Sequence, residues 1–192
     1  MKVLYEGAEA VVYEEGDIIV KYRKPKKYRH KELDEKIRKK RTKSETNLLK
    51  KSADITPNVL ESNNLDIIKM DKIDGFTVKE VLDNNTNIAF QIGIVVSKLH
   101  ELNIIHGDLT TGNLIWLKDS IKVIDLGLGK VSPRLEDKAV DLHLFKESLE
   151  SKHHLVKDEV WSNFLENYNP KEKKEILKKL ERVERRGRNK SK

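Results

Sequence analysis

The chain has 192 residues, of which 37% are hydrophobic and 37% are charged, and its formal net charge is +7. This length and apolar content suffice for one compact domain or two small lobes, which excludes disorder throughout. The absence of cysteine excludes disulfides, thiolate metal sites and cysteine nucleophiles, and the positive charge favours an acidic partner such as a nucleotide or RNA.

The sequence shows no signal for a membrane or for a structural metal. Glu6 interrupts the start before an apolar run develops, and no later stretch is long enough to span a bilayer. We therefore expect a cytoplasmic protein that does not enter a membrane. The six histidines lack metal-ligand spacing, and the pair His153-His154, in a polar stretch, is interpreted as solvated.

The first part of the chain has the pattern of a small antiparallel sheet. Short apolar runs predict strands at residues 3–5, 10–13 and 18–22, with a turn at residues 14–17. Residues 24–51 are strongly basic, and their apolar residues recur at mostly helical spacing, which predicts one or two helices. These apolar residues are Leu33, Ile37, Leu48 and Leu49. Residues 57–79 predict further short strands around residues 65–70, with a turn at Asp74-Gly75.

The second part is mostly helical by pattern. Apolar residues on one face predict an amphipathic helix over residues 88–102, and two short runs at 114–117 and 121–124 predict a hairpin. Three helical patterns follow before a basic end. The interpretation is a sheet lobe at residues 1–73, a helical lobe at 74–184 and a flexible tail at 185–192, with a ligand cleft where the lobes meet.

The strongest chemical signal lies between that helix and that hairpin. The stretch His106-Gly107-Asp108-Leu109-Thr110-Thr111-Gly112-Asn113, called the catalytic loop below, matches the frame of the protein-kinase catalytic loop. In that frame Asp108 accepts the proton of the attacking hydroxyl and Asn113 holds a magnesium ion. Gly107 stands where kinases usually have arginine. One strand later, Asp125-Leu126-Gly127 stands where kinases have the metal-binding Asp-Phe-Gly. A turn residue that satisfies its own backbone is the alternative for each position.

Four further groups of residues are candidates for binding ATP. Lys21 ends an apolar run where kinases place the phosphate-binding lysine, and Glu45 on the following helix is expected to pair with it. Taken singly, each is also typical of an ordinary solvated residue. The remaining candidates are the turn Gly7-Ala8-Glu9-Ala10, the strand residues Leu4 and Val12, and Met70, Asp71 and Ile73 in the segment joining the lobes.

These stretches resemble the small atypical kinase or ATPase subunit of the KEOPS complex, also called EKC, which is related to the RIO kinases. The likeness extends to residues 28–34 and 41–45, to Lys138-Ala139-Val140-Asp141-Leu142 and to the Arg-Gly-Arg tail. It implies Mg²⁺ and ATP as ligands, a threonylcarbamoyl-transferase subunit as partner, and a role in forming threonylcarbamoyladenosine in tRNA. It also implies that the tail, with Arg185, Arg186 and Arg188, binds the transferase partner.

We therefore expect an α+β, minimal bilobal protein-kinase-like fold that catalyses ATP hydrolysis or serine/threonine phosphorylation. One alternative is a small-molecule kinase of the aminoglycoside or choline type, although residues 130–192 leave little room for its larger helical lobe. Another is a non-catalytic scaffold for RNA or protein. The basic stretch is either a solvated helix face or a surface for tRNA or the partner. Its candidate residues are Lys26, Lys27, Arg29, Lys39, Lys40 and Arg41.

Overall fold

The computed structural model describes residues 1–188, which form parts of two compact units. The first unit ends at Asp74 and the second begins at Gly75. No helix within residues 1–188 is long and apolar enough to cross a membrane.

The first unit is an antiparallel five-stranded sheet with one long helix. The sheet order is β1-β2-β3-β5-β4, so the strands predicted at the start of the chain are neighbours. The elements are β1 (Lys2–Glu6), β2 (Val11–Glu15), β3 (Ile18–Tyr22), α1 (Lys31–Lys51), β4 (Val59–Ser62) and β5 (Ile67–Asp71). Leu48 and Leu49 of α1 are buried, as their helical spacing predicts.

The start of α1 departs from the prediction. Leu33 was expected on the apolar face, but it is 53% exposed and its neighbour Asp34 is buried. Asp34 accepts hydrogen bonds from Arg38 Nε at 2.8 Å and from Lys26 N at 3.2 Å. The bond from Arg38 holds the pKa of Asp34 below its usual range. The first turns of α1 are therefore held by charge, in agreement with the preference of acidic residues for helix N-termini.

The second unit contains short strands around a largely helical core. Its predicted amphipathic helix and hairpin are both present, the latter as the antiparallel pair β8-β9. The elements are β6 (Phe76–Thr77), α2 (Val78–Val81), α3 (Ile88–Glu101), β7 (Ile104–Ile105), β8 (Leu114–Trp116), β9 (Ile121–Val123), β10 (Lys130–Val131), α4 (Leu135–Lys152), α5 (Lys157–Asn167) and α6 (Lys173–Arg188). Strand β10 pairs with β7, so backbone hydrogen bonds connect the segment just before the catalytic loop with the segment that follows Asp125-Leu126-Gly127.

The close approach of α3 and α5 depends on Gly93. A Cβ at this position would lie 2.4 Å from the Phe164 carbonyl oxygen and 2.8 Å from Tyr168 N, both of which are backbone atoms. Helix propensity alone predicts that alanine stabilises a helix by about 0.8–1.0 kcal/mol over glycine. The clash reverses this sign, because neither backbone atom can rotate away.

We therefore expect Gly93→Ala to lower the free energy of unfolding by about 1–3 kcal/mol, the usual cost of overpacking. Urea denaturation followed by circular dichroism measures this change. Lys98→Ala, at an exposed position on the same helix, is the control and should stay within about 0.5 kcal/mol of the parent. A Gly93→Ala protein as stable as the parent would contradict the proposed clash.

Helix α6 extends into the segment that was interpreted as a flexible tail. It runs to Arg188, so residues 185–188 are helical, whereas residues 189–192 lie outside the described part of the chain. Arg186 Nη1 donates to Glu136 Oε1 at 2.8 Å, which ties the end of α6 to the start of α4. Arg185 and Arg186 are exposed.

Candidate functional site

Helix α4 holds the start of the catalytic loop through a buried carboxylate. Asp141 is fully buried, and its two oxygens accept from His106 N at 2.6 Å and from Gly107 N at 2.8 Å. Behind it, His100 Nε2 lies 3.5 Å from Asp141 Oδ2, and His100 Nδ1 lies 2.8 Å from the Tyr168 hydroxyl. Burial raises the pKa of Tyr168, so its hydroxyl keeps its proton. A chain of buried polar groups therefore fixes the backbone just before Asp108.

The backbone at Gly107 explains why this position is glycine. Its backbone φ angle is +80°, a value that residues with a Cβ rarely adopt. A Cβ at this position would also lie 2.6 Å from the Leu128 carbonyl oxygen. The arginine that kinases usually carry before the catalytic aspartate therefore has neither the backbone conformation nor the space it needs.

The ring of His106 fixes the position of Asp108. Its Nε2 lies 3.0 Å from the Ile124 carbonyl oxygen, which accepts only, so Nε2 carries the hydrogen. Nδ1 is then an acceptor, and it receives the Asp108 N–H at 3.2 Å. His106 is buried, and it thus connects the catalytic loop to the end of the β8-β9 hairpin.

Asp108 and Asn113 form the hydrogen-bonded centre of the loop. Asn113 Nδ2 donates to the Asp108 carbonyl oxygen at 2.8 Å and to Asp108 Oδ2 at 3.1 Å. The Asp108 side chain is exposed. Because Nδ2 makes both bonds, Oδ1 is the atom of Asn113 that a cation would contact. One oxygen of Asp108 is thereby oriented, and the other is the candidate proton acceptor.

Asp125 lies next to this centre through the hairpin. Ile124 N donates to the Asn113 carbonyl oxygen at 3.0 Å, so the residue before Asp125 is bonded to Asn113. Asp125 has φ 58° and ψ 66°, and its Oδ1 accepts from Gly127 N at 3.1 Å. One carboxylate and one amide oxygen are the ligand types that Mg²⁺ prefers. Within residues 1–188, no cluster of three or more acidic or histidine side chains could hold a metal ion.

The second half of the loop is held by the end of α4. Thr111 N donates to Ser148 Oγ at 3.1 Å, and Thr111 Oγ1 lies 3.0 Å from His153 Nε2. His153 Nδ1 lies 2.7 Å from Asp83 Oδ1. The interpretation of His153 as solvated is therefore wrong, since it is buried between two polar partners, while His154 is exposed. Nothing near the pair in sequence distinguishes the two histidines.

In the first unit, the predicted ion pair between Lys21 and Glu45 is present. Lys21 Nζ lies 2.8 Å from Glu45 Oε1, and both side chains are buried. Sequence reasoning missed a second cation, Arg23, which contacts Glu45 Oε2 and is also buried. Arg23 Nη1 further donates to Thr42 Oγ1 at 3.4 Å. One buried carboxylate thus pairs with two cations. Arg23 is two residues after Lys21, so the alternation of side chains along a strand places both on the same face, and this spacing could have identified Arg23.

The turn between β1 and β2 is tied to the rest of its unit. Gly7 N donates to the Ala10 carbonyl oxygen at 3.0 Å, which closes the turn. Lys26 Nζ contacts the Ala8 carbonyl oxygen, and Arg41 pairs with Glu9. The hydrogen bond from Arg41 holds the pKa of Glu9 below its usual range.

The other nucleotide candidates differ in exposure. Met70 is buried, whereas Val12 and Ile73 are half-buried and Leu4 is 47% exposed. Asp71 N already donates to the Asn58 carbonyl oxygen at 3.0 Å, so this N–H is engaged within the unit.

The basic stretch divides into two sets. The first set makes contacts inside the unit. Lys26 contacts the Ala8 carbonyl oxygen, Arg29 lies 3.6 Å from Asp34, and Arg41 pairs with Glu9. The exposed set is Lys27, Lys39 and Lys40.

Comparison with known proteins gives a consistent group of relatives. A family model described as lipopolysaccharide core biosynthesis protein (WaaY) matches residues 27–182. The EKC/KEOPS complex subunit BUD32 of Enterocytozoon bieneusi is 40% identical, and the alignment covers 98% of each chain. The KEOPS complex subunit Bud32 of Pyrococcus abyssi is 34% identical, over 98% of this chain and 96% of that one.

Other relatives are longer. A probable bifunctional tRNA threonylcarbamoyladenosine biosynthesis protein of Methanocaldococcus jannaschii is 45% identical over 85% of this chain, which spans 32% of that protein. Among solved structures, WaaP in complex with acyl carrier protein matches with a TM-score of 0.65 at 15% identity, over 98% of this chain and 88% of that chain. This likeness establishes the fold alone, and it confirms the predicted protein-kinase-like fold.

Proposed function

Because the chain belongs to the Bud32 family of kinase-like KEOPS subunits, we propose that it transfers the γ-phosphoryl group of ATP in support of threonylcarbamoyladenosine formation in tRNA. The observation that carries this proposal is the exposed Asp108 carboxylate, oriented by Asn113 on a loop that buried partners fix. Phosphoryl transfer requires mainly positioning and charge stabilisation, which such a fixed loop provides.

Asp108 is assigned the role of orienting the acceptor and taking its proton. The acceptor oxygen attacks the γ-phosphorus, the bond between the phosphorus and the leaving oxygen breaks, and ADP leaves. Asp108 receives the proton that the acceptor loses. With water as acceptor the reaction is ATP hydrolysis, and with a serine or threonine hydroxyl it is protein phosphorylation.

Asn113 and Asp125 are the residues that would hold Mg²⁺, which supplies charge neutralisation at the phosphates when bound. Two protein ligands are fewer than a dedicated metal cage offers, and Mg²⁺ commonly completes its shell with phosphate oxygens and water. We therefore expect weak binding of the metal alone and tight binding only together with the nucleotide.

Lys21 is assigned to the α- and β-phosphates, and Glu45 orients it. Glu45 pairs with Lys21 through one oxygen and with Arg23 through the other, so it holds the Lys21 ammonium in a fixed position. The turn at residues 7–10 and Leu4, Val12, Met70, Asp71 and Ile73 are proposed to line the nucleotide.

The proposed partners are a threonylcarbamoyl-transferase subunit and, through the complex, tRNA. Arg185, Arg186 and Arg188 at the end of α6 are proposed to contact the transferase, and the exposed Lys27, Lys39 and Lys40 to face tRNA. Phosphate contacts of this kind make affinity fall steeply with salt.

The proposal is tested by measuring ADP release from Mg-ATP by the pure chain, alone and with tRNA and the transferase subunit. We expect measurable turnover that the complete assembly stimulates.

Asp125→Ala should weaken Mg-ATP binding, measured by calorimetry, whereas Asp119→Ala, at an exposed position in the β8-β9 turn, should bind as the parent does.

Two outcomes would overturn the proposal. Absence of nucleotide binding with retained tRNA binding would favour the scaffold alternative. Rapid phosphorylation of an aminoglycoside or choline, with no effect of tRNA, would favour a small-molecule kinase.

A further inference from the structure

The hydrogen bonds around His153 form a directed chain that ends on the catalytic loop. Asp83 is a carboxylate, so His153 Nδ1 donates to it across 2.7 Å. In the neutral ring Nε2 is then an acceptor, and the Thr111 hydroxyl donates to it across 3.0 Å. Ser148 Oγ in turn lies 3.4 Å from Thr111 Oγ1 and accepts the Thr111 N–H at 3.1 Å. Each polar atom at Thr111, apart from its carbonyl, thus has a partner of matching type.

Thr111 lies between the two central residues of the site. It is three residues after Asp108 and two before Asn113, and it opens the 3₁₀ turn Thr111–Asn113. The adjoining Gly112 has open space where a Cβ would lie, with the Thr110 hydroxyl as the nearest atom at 3.7 Å. The segment is therefore held on one side of Gly112 by the bonds of Thr111 and on the other by the bond from Ile124 N to the Asn113 carbonyl oxygen.

Packing around this segment is incomplete on one side. A cavity of about 420 Å³ opens beside residues 110–112 and is also lined by Ser148 and Lys152 of α4. A loop that borders such a space can shift into it unless directional bonds prevent the movement. The bonds from Ser148 and His153 are the ones that act at Thr111, since its side chain is 1% exposed and points to α4.

We propose that His153, held by Asp83, is a positioning residue that fixes Thr111 and through it the relative placement of Asp108 and Asn113. Helix α4 then holds the loop at two points, by Asp141 before Asp108 and by the Ser148–His153 end after it. The effect on turnover rests on the proposed phosphoryl transfer, whereas the effect on loop order does not.

Thr111→Val and Thr111→Ser form the decisive pair. Valine keeps the size of threonine and removes the hydroxyl, while serine keeps the hydroxyl. We expect Thr111→Val to reduce kcat by about tenfold to a hundredfold, as small misplacements of catalytic groups do, with the KM for Mg-ATP changed less than threefold. Thr111→Ser should return kcat to within about threefold of the parent.

His153→Ala and His154→Ala form the second pair. The first should reproduce the kcat loss of Thr111→Val, and the second, at the exposed neighbour, should not. If His153→Ala prevents folding, the threonine pair still decides. Equal kcat values for the valine and serine variants would overturn the proposal, as would a valine variant whose kcat per folded molecule matches the parent.

Hydrogen exchange of the unliganded protein separates this proposal from the proposed function. Thr111→Val should speed amide exchange in a peptide spanning residues 109–113. In Thr111→Ser, the exchange rate of this peptide should equal that of the parent. If the parent shows no turnover, the proposed function fails, and the exchange result decides the positioning proposal alone. Unchanged exchange in Thr111→Val would overturn it.

Discussion

Replacing Asp108 with asparagine is expected to reduce ATP turnover by about a hundredfold to ten-thousandfold, the usual contribution of a positioned base. Asparagine retains an oxygen that can accept from Asn113 Nδ2, so the hydrogen bond at 3.1 Å need not be lost with the charge. Nucleotide binding should therefore stay close to that of the parent, because the base acts mainly in the transition state. Steady-state kinetics and calorimetry measure the two quantities separately.

Asp119→Asn is the matched control, since it makes the same change at an exposed residue of the β8-β9 turn. It should retain the parent's turnover. An Asp108→Asn protein with more than half of the parent's kcat would show that Asp108 is not the group that receives the proton.

Asp141→Ala is expected to cause the largest loss of stability. Removing this fully buried carboxylate leaves the N–H groups of His106 and Gly107 without an acceptor, at about 1–3 kcal/mol for each orphaned donor. The two losses together are a large fraction of the stability of an ordinary domain. Urea denaturation should show a lower midpoint, and turnover should fall with the order of the loop.

The size of the effect should be graded. Asp141→Asn keeps one acceptor oxygen, so its loss should be intermediate. Glu150→Ala, at an exposed position on the same helix, should denature close to the parent's midpoint. An alanine variant at position 141 that is as stable as Glu150→Ala would refute the role given to these two bonds.

Local patterns predicted the parts of the fold that local forces determine. The strands β1 to β3, the amphipathic α3 and the β8-β9 hairpin depend on short-range alternation, helical spacing and turn residues, all of which can be recognised in one sequence. The spacing of Asp108, Asn113 and Asp125 was recognisable for the same reason. The loop and hairpin that carry them are continuous in the chain, and the structure joins them through the Ile124 and Asn113 backbones.

Long-range polar contacts could not be predicted in this way. Leu33 follows helical spacing, but the ion pairs of Asp34 determine which side of the helix is buried. His153 resembles its neighbour His154 in sequence, and only its contacts with Asp83 and Thr111 distinguish it. Asp141 differs from these, since a carboxylate beside Leu142 on an apolar helix face indicates buried hydrogen-bond donors.

Gly107 also limits which substitutions this candidate site can accept. Its positive φ and the Leu128 carbonyl oxygen, 2.6 Å from where a Cβ would lie, oppose alanine as well as arginine. The Cβ of any residue other than glycine would require the positive φ and would clash with the Leu128 carbonyl oxygen. Small side chains are therefore opposed as strongly as large ones. Arginine could be accepted only if the backbone at Leu128 moved, so the two positions depend on each other. Regulation of the proposed phosphoryl-transfer site must therefore use means other than an arginine at this position.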